Sequence, residues 1–139
     1  MLTDDQQRTL RCLAEMMVPA SAEYGAPGAA DEAIFADILH SLGRDEPQVL
    51  TVVRELEGFA DLDPVHCEAK AAELRAMGGE TLAGLSRVIL QCYYRDDRVM
   101  RSLGMEPRPP FPIGHEVEQG DWSLLDPVRK RPKLYREAP

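Results

Sequence analysis

The sequence predicts an all-α protein: a single domain of five or six helices followed by an extended, proline-rich C-terminal arm. Three observations predict it. Apolar residues up to about position 104 recur at spacings of three and four, as one face of a helix requires. No stretch carries a hairpin signal, and after Gly104 the prolines at 107, 109, 110, 112, 127 and 132 leave little room for continuous helix. At 139 residues with 44% hydrophobic and 29% charged side chains, the chain has the size and composition of one folded domain, outside the disordered class.

Thr3 followed by Gln6 reads as a capping box opening the first helix, in which Leu10, Leu13, Met16 and Met17 recur at helical spacing. Pro19 ends it, because a residue before proline is pushed out of the α region. Pro19, Gly25, Pro27 and Gly28 mark a loop over residues 19–30. A second helix over 29–42 buries Ile34, Ile38 and Leu42, with Phe35 and Leu39 beside them; Asp31 and Glu32 suit its positive end and Gly43 its C-terminal cap. Val49, Val52, Val53, Leu56 and Phe59 give a third helix over 47–60.

Pro64 fits the first turn of a fourth helix over 65–77, whose contact residues read as Ala69, Ala72 and Ala76, stopped by Gly78-Gly79. Leu82, Leu85, Val88, Ile89 and Cys92 form the most apolar stripe, a central helix running into the core pair Tyr93-Tyr94. A short helix over 96–103, with Asp96 and Asp97 at its start and Gly104 as its cap, closes a helical body of residues 1–104. The arm, 105–139, still carries Phe111, Ile113, Val117, Trp122, Leu124, Leu125, Val128, Leu134 and Tyr135. Such side chains need a surface to bury against, either the body or a partner.

The net charge of −8 argues against nucleic acid and against direct membrane binding or insertion, since both present anionic surfaces or an apolar span that this chain does not match. The body holds 18 acids against 10 bases, whereas the arm is balanced at six of each. The one basic run, Arg129, Lys130, Arg131, Lys133 and Arg136 around Tyr135, therefore reads as docking against acids rather than RNA.

Cys12, Cys67 and Cys92 are single and far apart, which favours a reducing compartment. Met1 leads into a polar stretch, so the expectation is a cytoplasmic chain. The histidines His40, His66 and His115 match no catalytic or metal motif, and adjacent His66-Cys67 would point about 100° apart on a helix. Nucleophile elbows, phosphate loops and HExxH pairs do not occur. The expectation is no catalytic residue, no metal and no cofactor held by this chain.

The order of features is informative as a set. The first helix ends in Met16-Met17-Val18-Pro19, the loop reads Ala26-Pro27-Gly28-Ala29-Ala30, and Tyr93-Tyr94-Arg95-Asp96-Asp97 leads to Ser102-Leu103-Gly104-Met105. The arm follows with Pro110-Phe111-Pro112-Ile113-Gly114-His115 and then Gly120-Asp121-Trp122-Ser123-Leu124-Leu125-Asp126-Pro127-Val128-Arg129. In these motifs and their order the chain resembles the gluconate 2-dehydrogenase subunit 3 family, over nearly its whole length except about 44–80. That resemblance implies the small subunit of a sugar, sugar-acid or alcohol dehydrogenase, whose large subunit is an FAD-dependent glucose-methanol-choline oxidoreductase. FAD would then sit in the partner, and the small subunit would help it fold, take up flavin or be exported.

The family often supplies a twin-arginine export signal, and here the sequence departs from it: Arg8 and Arg11 are not a twin pair and no apolar run follows. Either the complex stays in the cytoplasm, or it is periplasmic and the signal has been removed. The expected partner contacts are Phe111, His115, Trp122, Leu124, Leu125 and Tyr135, with Arg129, Arg131 and Arg136 as a polar rim. Two rival functions stay open: a subunit whose arm also lines the partner's active site through His115 or Trp122, and a free-standing helical binding module.

Overall fold

Thr3 opens the first helix, α1 (Asp4–Met17), with both halves of the capping box in place. Its hydroxyl accepts from the Gln6 N–H at 3.3 Å, and the Gln6 side-chain carbonyl accepts from the Thr3 N–H at 3.0 Å. The computed structural model describes residues 2–109, 111–116 and 118–132, which fall into two units, 1–107 and 108–139. Among the described residues the fold is all-α. The first unit holds α1, α2 (Glu32–His40), α3 (Glu46–Glu55), α4 (Pro64–Met77), α5 (Gly79–Arg95) and α6 (Asp97–Ser102).

The core of this unit is one cluster to which every helix contributes: Leu10 and Leu13, Ile34 and Ile38, Val49 and Val52, Leu74, Leu85 and Ile89, and Val99. Each such side chain withdrawn from water is worth about 1.5–3 kcal/mol. The most extensive helix pairing is between α3 and α5. Gly84 makes it possible: a β-carbon built there would lie 2.9 Å from Cβ of Gln48, so a side chain would force the two helices apart. Gly84→Ala is therefore expected to cost about 1–3 kcal/mol by overpacking, despite alanine's better helix propensity, read from the urea midpoint.

Several elements differ from the sequence reading, each for a local reason. The second helix stops at His40 with Ser41 as its cap rather than Gly43, which instead begins a 3₁₀ turn, Gly43–Asp45, with φ +45°. The third ends at Glu55 because Gly58 takes φ +76°, a left-handed conformation that a helix interior does not contain. Phe59 still reaches the core, from a 3₁₀ turn, Phe59–Asp61, packed beside α1. On α4 the expected alanines Ala69, Ala72 and Ala76 face water. The inward stripe is Cys67, Ala71 and Leu74, spaced i, i+4, i+7, because Leu74 and the Cys67 thiol have more apolar surface to bury than any alanine.

Met16, Met17 and Tyr94 are likewise exposed rather than core. Tyr93 alone of the aromatic pair is buried, its ring meeting Tyr94 edge-on at 5.1 Å. Gly104 does cap the sixth helix: at φ +74° it lets the Gly104 N–H reach the Arg101 carbonyl and the Met105 N–H reach that of Met100.

The sequence predicts an extended arm, whereas part of the second unit is helical. Asp121 caps a 3₁₀ turn, Trp122–Leu125, by accepting from the Ser123 N–H at 3.0 Å, and this runs into a one-turn helix, α7 (Asp126–Arg129). Pro127 does not prevent it, since a first-turn residue has no helical partner to lose for its missing N–H.

Candidate partner-binding surfaces

No residue of the 3₁₀ turn or α7 is buried, and among the described residues of the second unit none forms a core. Phe111 is 85% exposed, Trp122 62% and Leu124 75%, with Ile113, Leu125 and Val128 also exposed. In a 3₁₀ helix residues i and i+3 eclipse, which sets Trp122 and Leu125 on one side. His115, Arg129 and Arg131 are exposed as well, and Arg129 pairs with Asp126 at 3.6 Å. The Arg108 guanidinium donates to the Gly114 carbonyl at 2.7 Å, closing the Phe111–Ile113 turn. Tyr135 and Arg136 of the expected contact set lie outside the described residues, as do Val117, Lys133 and Leu134.

A second apolar surface lies on the helical body, where sequence reading placed none. Leu13, Met16 and Met17 of α1, Ala71, Leu74 and Arg75 of α4, and Leu82, Leu85 and Leu90 of α5 line a cleft of about 330 Å³. A signal is present for Leu90, which diverges by about 100° from adjacent buried Ile89 on a helix and so must leave the core stripe; that both Met16 and Met17 leave it is seen only in the structure.

Compared with known proteins, the chain matches no family model, no curated protein and no solved structure.

Several charged groups of the body hold its helices together. Arg98 donates to Asp31, the N-cap of α2, at 2.6 Å and to Asp96, the N-cap of α6, at 3.0 Å. Arg95 reaches Asp37 of α2 through its Nε at 2.6 Å, and also Ser41. Arg11 donates twice to the Ala30 carbonyl, at 3.0 and 2.9 Å, and its guanidinium lies over the Phe35 ring. This fastens the loop in which Gly28 passes too close to Ala20 and Glu15 for any β-carbon. The sequence marks Asp31 and Asp96 as helix starts; Arg98 lies two residues from Asp96 but 67 from Asp31, and that distant pairing carries no local signal.

These contacts hold the carboxyls of Asp31, Asp37 and Asp96 below the ordinary range, through hydrogen bonds from Arg98, Arg95 and Arg98 respectively. A carboxylate with a depressed folded pKa adds stability above its unfolded pKa of about 4, and that stability is lost as pH falls through the folded value. Thermal melts should therefore show a level plateau above about pH 4 and a decline below it. Because the pairs are partly open to solvent, Arg98→Ala is expected to lower the plateau by only about 1 kcal/mol and to make the acid decline shallower.

Among the described residues no group of three or more His, Cys, Asp or Glu side chains is placed to hold a metal. His66 turns toward Asp63, while the Cys67 thiol points to the carbonyls of Phe59 and Leu62 at 3.6 and 3.5 Å, so the neighbours diverge. Burial pushes the thiols of Cys12 and Cys92 up, away from the thiolate. No helix among the described residues is long and apolar enough to cross a membrane.

Proposed function

We propose that the chain is the non-catalytic small subunit of an FAD-dependent glucose-methanol-choline family dehydrogenase acting on sugars, sugar derivatives or alcohols. It stabilises or matures the large subunit, which holds the flavin and the groups that react with substrate. The observation that carries this reading is the exposure, among the described residues of the second unit, of Phe111, Ile113, Trp122, Leu124, Leu125 and Val128. Large apolar residues grouped in this way and followed by the bases Arg129, Lys130 and Arg131 suit an apolar protein surface with an acidic rim. The resemblance in motif order to the gluconate 2-dehydrogenase subunit 3 family supplies the kind of partner. The unpaired cysteines favour a cytoplasmic complex.

Affinity purification of the tagged chain from its native host, with mass spectrometry and an absorption spectrum of the eluate, tests the proposal. A co-eluting protein of flavoenzyme size with flavin absorption supports it; a colourless lone polypeptide overturns it in favour of a free-standing binding module. The exposure of His115 and Trp122 favours a second reading in which the arm also lines the partner's active site. Under that reading His115→Ala changes kcat/KM for substrate with the complex intact.

A further inference from the structure

We propose that the cleft between α1, α4 and α5 is a docking groove for an amphipathic helix of a partner protein, one that sets a carboxylate against Arg75. Of the nine side chains that line it, eight are apolar and the ninth is this arginine. The core behind the cleft is already complete, with Leu85 fully buried, so the exposed Met16, Met17 and Leu90 are left over from packing the body itself. Methionine is unbranched and polarizable, and recurs on surfaces that accept helices by repacking.

Charge selects among possible occupants. Arg75 stands on the last turn of α4 with no hydrogen bond or ion pair among the described residues, while the neighbouring Lys70 and Glu73 pair with each other at 2.9 Å. An acidic side chain on the incoming helix would complete that pair where apolar contacts exclude water. An anionic lipid surface would instead meet a body whose residues 1–104 hold 18 acids against 10 bases, and a second copy would meet its own excess of negative charge. The proposal rests on the accessory-subunit reading only for the partner's identity.

Photocrosslinking tests it. A benzophenone amino acid replaces Leu90, or Met17 as a second groove position, in the full chain expressed in its native host. Val65, more exposed at 76% and on α4 outside the cleft, serves as the control. The expected result is an adduct from the groove positions that maps to the apolar face of a partner helix bearing Asp or Glu. Its yield should fall about tenfold with Arg75→Glu and be retained with Arg75→Lys, circular dichroism being unchanged. Equal adducts at Val65, an adduct with a second copy or with lipid, no adduct, or indifference to Arg75→Glu would each overturn it. A co-purifying flavoprotein without a groove adduct removes the groove and leaves the subunit reading. A groove adduct on a helix of some other protein does the reverse.

Discussion

If the proposed flavoprotein partner binds through the arm, replacing Trp122 and Leu125 together by alanine should weaken that binding by about 30-fold or more and leave the unfolding transition of the chain unchanged. The magnitude follows from the cost of truncating an interface anchor, about 2 kcal/mol or more for a buried Trp, with the two losses not strictly additive. Stability is spared because neither side chain is buried in the chain alone. Surface binding of the purified subunit to its partner measures the first effect and a thermal melt the second. The choice of pair matters: in an extended strand Trp122 would share a side with Leu124, whereas the 3₁₀ turn sets it with Leu125. If Trp122→Ala/Leu124→Ala proves the more damaging pair, the arm binds extended and not through the 3₁₀ turn.

The largest stability effect is expected at Phe59. Its side chain is 1% exposed and is part of the central cluster, yet it enters from a short 3₁₀ turn rather than from a helix. Phe59→Ala removes an aromatic ring that no neighbouring element can slide in to replace, at about 3–5 kcal/mol. Since domains of this kind hold about 5–15 kcal/mol in all, the variant should lose a large share of its stability, seen as a lower denaturant midpoint with the slope unchanged. A cost near 1 kcal/mol would mean that the turn collapses onto the gap.

How much of this could be read in advance depended on the range of the interaction. The capping box at Thr3, the stop before Pro19, the stripe of the fifth helix and the cap at Gly104 rest on residues within a turn or two of one another, and all four are present in the structure. A single glycine such as Gly58 inside an apolar pattern is compatible with a helix, and only the packing of Phe59 beside α1 favours the left-handed break. On the fourth helix periodicity alone admitted more than one contact face, since alanines occur all round it; the helices packed against it selected Cys67, Ala71 and Leu74.

The candidate surfaces divide in the same way. The apolar content of the arm is a property of composition, so Phe111, Trp122, Leu124 and Leu125 stand out from the chain alone, while their exposure is seen only in the structure. That Trp122 and Leu125 share a side depends on the 3₁₀ turn that Asp121 caps by accepting from the Ser123 N–H. The groove of Met16, Met17, Arg75 and Leu90 combines residues from three helices, as do the bridges from Arg98 to Asp31 and from Arg95 to Asp37.

By itself, then, the sequence determined an all-α chain, its helix starts and most of its stops, and an arm with apolar side chains to spare, because those depend on backbone preferences and amphipathic period within about 3.6 residues of each position. Tertiary structure decided which face of each helix turns inward, which methionines and leucines are left outside, and which arginine meets which carboxylate. These outcomes minimise exposed apolar surface over the whole body at once, and no local window contains the partner helix against which that minimum is reached.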